Sequence, residues 1–205
     1  MNRASSRTQS ALLEAMEEGQ VTVDDSTYKL PNPFIVFATQ NPSGASGTSL
    51  LPDSQMDRFS IKISMGYPDI KSEKAMIISR QGKNPIETVR QVCTINDVLR
   101  SQMEVKDVFI DGKIINYILA LITATREHEA LERGASPRAT LALTDMAKAC
   151  AYIYGRDYVI PQDVKFVFVN VIAHRLMLTP EAELKEMTAE RVAAEILDKV
   201  VLPRD

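Results

Sequence analysis

Five consecutive apolar residues, Phe34-Ile35-Val36-Phe37-Ala38, constrain this chain more than any other feature. They are aromatic and β-branched, preceded by Pro31 and Pro33 and followed by the polar cluster Thr39-Gln40-Asn41-Pro42. A run of that length and character reads as a strand buried on both faces, and such strands belong to parallel sheets covered by helices. An α/β layer is therefore expected around residues 34–38.

The surrounding sequence supplies parts for it. Residues 5–18 carry Leu12, Leu13 and Met16 beside Ala11 and Ala15, the apolar face of a helix that Gly19 can stop. From Gln20 to Leu30, alternation at Val21 and Val23 meets the turn residues Asp24-Asp25-Ser26, and Thr27-Tyr28 opens a return strand, a hairpin pattern. A Gly/Ser-rich loop is expected over 43–49 and a short helix over 52–57. Phe59, Ile61, Ile63 and Met65 then alternate with Ser60, Lys62 and Ser64, the mark of a half-covered strand. Gly66-Tyr67-Pro68 punctuates the chain and marks an expected domain boundary.

Beyond it the period changes from two to nearly four. Helices are expected at 69–81, 95–105, 111–129, 137–154, 161–174 and 180–199. In 111–129, Ile114, Ile118, Leu121 and Ile122 form one stripe, widened by Ile115 and Leu119 to suit a central helix. Ser136-Pro137 and Thr179-Pro180 each put a capping side chain before a proline at the first helical position.

Composition excludes several classes. Hydrophobic residues at 45% and charged residues at 25% of the 205 fit an ordinary globular protein, not bulk disorder or a collagen repeat. No stretch reaches the roughly 18–20 apolar residues of a membrane span, and no apolar segment follows the basic N-terminus as in a signal peptide. Lys and Arg number 24 against 27 Asp and Glu, which argues against a globally basic nucleic-acid binder. Cys93 and Cys150 lack metal-ligand spacing and suit a reducing cytoplasm; His128 and His174 leave little room for a histidine metal site.

Three polar residues are candidates for chemistry. Asn41 follows the apolar strand, where α/β proteins place their ligands, and could orient a water and a phosphate oxygen; Asn41-Pro42 also reads as a plain turn. Arg58 offers a fork of donors suited to phosphate, or to a neighbour's site; taken in isolation it reads first as a surface arginine paired with Asp57 or Asp53. Arg138 falls in the first turn of the helix begun by Ser136-Pro137, where exposed N–H groups favour an anion, so an arginine there suits an arriving phosphate. Its alternative is to fold back on Glu127, Glu129 and Glu132. Glu14, Glu17 and Glu18 read as a wet helix face, and His174-Arg175 as cations at a helix C-terminus. No GxxxxGK[ST] phosphate loop occurs.

Asn2-Arg3-Ala4, Thr8-Gln9-Ser10-Ala11-Leu12-Leu13-Glu14-Ala15-Met16-Glu17-Glu18, Gln20-Val21-Thr22-Val23, Ala38-Thr39-Gln40-Asn41-Pro42, Gln55-Met56-Asp57-Arg58-Phe59 and Gly66-Tyr67-Pro68 together resemble the MoxR family of AAA+ ATPases. Gly134-Ala135-Ser136-Pro137-Arg138-Ala139 and Gly155-Arg156-Asp157-Tyr158-Val159 resemble that family's helical lid. The resemblance implies an α/β remnant of a P-loop AAA+ core over residues 1–68, its sheet incomplete, followed by an all-α lid over 69–205. It implies that Asn41 is sensor 1, that Arg58 is the arginine finger acting in trans, and that Arg138 is sensor 2, reaching the phosphates from the lid. It further implies ATP and Mg²⁺ as cofactors of the complete protein and a homo-oligomeric, hexameric ring in the cytoplasm. The ring would remodel protein clients, with a von Willebrand factor A domain protein as partner and without nucleic acid or membrane insertion.

The chain departs from the family in lacking the phosphate loop and the Mg²⁺-binding acidic pair, both of which lie upstream of the residue matched by Asn2. The fragment alone is therefore expected to be inactive and to bind no cofactor tightly. In the family's sheet the phosphate-loop strand separates the strands matched by 34–38 and 59–65, so both should lack a neighbour here and residues 1–68 should be loose or rearranged, while 69–205 should fold alone. The alternative is a non-catalytic helical interaction or regulatory module.

Overall fold

The computed structural model describes residues 6–39, 53–81 and 84–202. It opens with helix α1 (Ser6–Glu18) and a two-stranded antiparallel hairpin, β1 (Gln20–Val23) and β2 (Ser26–Lys29). The hairpin turns at Asp24 and Asp25, both at positive φ, which short polar side chains tolerate best after glycine. Thr22 ties the hairpin to α1, its hydroxyl donating to Glu14 Oε1 at 2.6 Å. A one-turn helix α2 (Asp53–Met56) follows, then α3 (Ile70–Ser79), a 3₁₀ turn at Pro85–Thr88 and α4 (Ile95–Asp107).

The hydrophobic core lies in the second half. It is built by α5 (Gly112–Arg126), α6 (Pro137–Ile153), α7 (Pro161–Ile172) and α9 (Ala189–Lys199), with Val108 and Val159 at its edge. Phe168, Ile118, Leu121, Ile122, Leu143, Ile172 and Ile196 are fully buried there. β3 (Leu131–Arg133) pairs antiparallel with β4 (Met177–Leu178) across the bundle's end, and α8 (Pro180–Leu184) precedes α9.

Capping chemistry fixes the helix starts. The Ser136 hydroxyl accepts from Ala139 N at 3.3 Å with Pro137 behind it, and Thr179 does the same for Ala182 N at 3.2 Å ahead of Pro180. Thr94 and Asp97 form a reciprocal capping box on α4. Asp163 near the start of α7 is buried; it accepts from Ile160 N at 2.9 Å and takes a bidentate pair from Arg156 at 2.7 and 2.5 Å. Burial alone would raise the Asp163 carboxyl, but the Arg156 hydrogen bonds and charge hold it below its ordinary range. The Gly155-Arg156-Asp157-Tyr158-Val159 motif thus seats α7 on the bundle.

Four expectations are corrected. Residues 34–39 and 61–69 run without regular secondary structure, because no strand among the described residues lies beside either to complete a ladder. Phe37 is 92% exposed, and Ile63 and Met65 also face solvent. The span 180–199 is two helices: α8 ends at Leu184 with Lys185 as its C-cap, Glu186 takes φ 54°, and Thr188 starts α9 afresh by accepting from Arg191 N at 3.2 Å. α5 stops at Arg126, and its Ile115 and Leu119 are exposed, so the helix is covered on one side only. The loop expected at 43–49 lies outside the described residues.

Candidate functional site

The loop before Arg138 is positioned by α5. Thr125 is buried and its hydroxyl accepts from Ala135 N at 2.9 Å while donating to Ile122 O at 2.6 Å. Arg126 Nε donates to Ala135 O at 2.9 Å. Gly134 approaches so closely that a Cβ there would stand 2.5 Å from Thr125 O, a distance only glycine permits. This clamp delivers Ser136 as the cap of α6 and, two residues on, Arg138 in the helix's first turn.

Arg58 sits on the turn that closes α2, where Arg58 N donates to Gln55 O at 3.3 Å and Phe59 N to Met56 O at 3.1 Å. Its guanidinium meets Glu17, near the C-terminus of α1: Arg58 Nη1 pairs with Glu17 Oε2, and Arg138 Nη2 donates to Glu17 Oε1 at 2.7 Å. Each carboxylate oxygen therefore takes one arginine. Desolvation pushes the Glu17 carboxyl up, but the Arg138 hydrogen bond and the Arg58 charge outweigh it and hold the group below its usual range.

A second set of contacts supports the first from beneath. Arg175, from the 3₁₀ turn Ala173–Arg175 after α7, is buried against residues 57–59. Its Nε donates to Asp57 Oδ1 at 2.8 Å, and its Nη2 to Asp57 O at 3.2 Å and Phe59 O at 2.7 Å. Burial disfavours its charge, and the Asp57 carboxylate works against that. His174 Nε2 lies 3.0 Å from Phe59 O, and burial pushes its imidazole below the ordinary range, towards the neutral form. Lys62 N donates to Asn170 O at 2.9 Å.

Of the three residues singled out by sequence, Arg58 and Arg138 are brought together, 80 positions apart in the chain, and Asn41 lies outside the described residues. Arg58 pairs with Glu17, and Arg138 turns to the same Glu17 in place of Glu127, Glu129 or Glu132. Two participants carry more than their sequence positions reveal. Glu17 is exposed, as expected of a wet helix face, but its carboxylate takes both arginines. Arg175 follows the C-terminus of α7 and donates to Val171 O, as a helix-end cation does, but it is also buried and bonds residues 57–59; its spacing from Val171 and Ile172, on the buried side of α7, is the available signal.

Both parts of the chain have relatives among known proteins. Residues 1–61 match the family described as "ATPase family associated with various cellular activities (AAA)", and residues 123–196 match "AAA lid domain". Chaperone MoxR1 of Mycobacterium tuberculosis is 40% identical over 213 residues, covering all of this chain and 56% of that protein. The uncharacterized protein YeaC of Bacillus subtilis is 44% identical over 203 residues, covering 99% of this chain and 63% of YeaC. The chain belongs to the MoxR family of AAA+ ATPases. Its backbone agrees: the crystal structure of a candidate ATPase from Cytophaga hutchinsonii superposes with a TM-score of 0.91 at 40% identity, over 99% of this chain and 64% of that one. The chain thus spans about 60% of the length of these MoxR-type and related proteins. In AAA+ terms it joins part of the core, its sheet incomplete among the described residues, to a helical lid. Among those residues no group of three His, Cys, Asp or Glu side chains could hold a metal, and no helix is long and apolar enough to cross a membrane.

Proposed function

We propose that this chain contributes Arg58 and Arg138 to the phosphate site of a MoxR-type ATPase, Arg58 as arginine finger and Arg138 as sensor 2, with Asn41 as sensor 1. The observation that supports the reading is the convergence of two guanidinium groups from separate elements on the two oxygens of one carboxylate. Charge-assisted pairs of this kind suit a phosphoryl group, whose oxygens present the same acceptor chemistry. The donor set present therefore fits a nucleotide's terminal phosphate. ATP with Mg²⁺ supplies the phosphoryl group when bound; the chain's own part is to neutralise charge that develops on it. On this reading Arg58 acts in trans on the nucleotide of the next subunit in a hexameric ring, and Arg138 reaches the phosphates from the lid.

On this reading residues 1–68 are the C-terminal part of the AAA+ core and 69–205 the lid. The assembled cytoplasmic ring couples ATP hydrolysis to remodelling of a protein client, with a von Willebrand factor A domain protein as partner, and the chain by itself is inactive. The test is reconstitution with a segment carrying the phosphate loop. Mg²⁺-dependent hydrolysis should appear and fall about a thousandfold with Arg58→Ala. Hydrolysis at full rate with Asn41, Arg58 and Arg138 all changed to alanine would overturn the assignment.

A further inference from the structure

We propose that Asp57 and Arg175 are a positioning pair that sets the Arg58 and Arg138 guanidinium groups at one fixed spacing; the functional part of this inference rests on the reading of those arginines given above. Arg175 lies 118 positions from Asp57, and its side chain is 3% exposed. A buried ion pair is weak evidence for stability, because an apolar pair of similar volume often serves as well. What Arg175 supplies that an apolar residue could not is directional grip. It donates to the carbonyls of Asp57 and Phe59, the residues on either side of Arg58, and so fixes the backbone from which the Arg58 side chain departs towards Glu17. A further donation, from Nη1 to Val171 O, fastens the guanidinium to α7.

The other half of the device is the Asp57 carboxylate. Oδ1 takes Arg175, while Oδ2 accepts from the Ser136 hydroxyl at 3.2 Å. Ser136 caps α6, and Arg138 stands two residues further on. One carboxylate therefore touches both supports: it belongs to the residue preceding Arg58, and it bonds to the cap of the helix that carries Arg138. Neither Asp57 nor Arg175 contacts Glu17 in these bonds, so both act through the two arginines they place. A misplacement of 1 Å in such a group is enough to cost two orders of magnitude in rate.

Two measurements test this. In the 205-residue chain, the Nε–H signals of Arg58 and Arg138 are followed by ¹H–¹⁵N NMR, assigned through Arg58→Lys and Arg138→Lys. In Arg175→Met, and in Asp57→Asn, which keeps the shape and removes the charge, both signals should shift together while the methyl signals of the Leu121, Leu143 and Ile172 core stay in place. Both signals unmoved in a folded variant would overturn the proposal. Should Arg175→Met fail to fold, Asp57→Asn decides. In the reconstituted ATPase, Arg175→Met should lower kcat at least tenfold with KM for ATP changed less than twofold. If Arg58→Ala lowers kcat and Arg175→Met does not, the positioning role is wrong. If Arg58→Ala has no effect, the phosphate reading is wrong and the NMR result alone decides whether the pair positions.

Discussion

Glu17 holds Arg58 and Arg138 as a phosphate would, which makes it a competitor for any anion that approaches them. Glu17→Gln keeps the shape and removes the charge. It should tighten binding of inorganic tripolyphosphate several-fold at low salt, measured by titration calorimetry, and unchanged binding would show that Glu17 does not occupy the anion position. At Gly134 the constraint is steric. An alanine Cβ would meet the backbone of Thr125 and Arg126 at 2.5–2.7 Å, and backbone cannot swing aside. Gly134→Ala should cost about 2 kcal/mol in urea denaturation. Individual side chains were unevenly legible in the sequence. Arg138 could be found because its cap and proline fix its place in a helix turn. Glu17 could not, because its partners arrive from positions 58 and 138, and only the folded chain brings them near.

Among the elements, α7 depends most on one pair of side chains. Arg156 and the buried Asp163 hold its start, and removing one partner leaves the other without its match. Asp163→Asn should cost about 3 kcal/mol. The pH dependence follows from the direction of the shift. The Asp163 carboxyl is lower in the folded chain than its ordinary value of about 3.8, so its contribution is complete above that value and is lost as pH falls through the folded one. Between pH 6 and pH 3 the melting temperature of the native chain should fall further than that of Asp163→Asn; parallel curves would refute the assignment. Helices with a proline or a capping hydroxyl at the start were readable in advance because their signals are local: α4, α6 and α7 begin within a residue or two of expectation. The break between α8 and α9 depends on Glu186 at positive φ and on a second cap at Thr188, and an apolar periodicity that continues across both conceals it. Strands fared worst. Residues 34–38 and 59–65 have the composition of strands, but a strand exists only with a partner; the missing neighbour expected for both leaves them without a ladder among the described residues.

The whole molecule is unequal in how it is held together. Among the described residues, every large side chain that is fully buried comes from the second half, beyond residue 110. Phe168→Ala should therefore cost about 3–5 kcal/mol, whereas Phe37→Ala, at a residue open to solvent, should change stability by less than about 0.5 kcal/mol. Equal losses in chemical denaturation would contradict this division. Among the described residues, polar ties join the first half to the second: Arg138 to Glu17, Arg175 to Asp57 and Phe59, His174 to Phe59, Ser136 to Asp57, and Lys62 to Asn170 and Glu190. The tie between Arg175 and Asp57 also carries a consequence for the order of folding. A loop of more than a hundred residues must close before it forms, and such closures come late and slowly. The arginine turn can be seated only after the helices beneath it have condensed, so a nascent chain cannot display its two guanidinium groups side by side until its C-terminal third has been made.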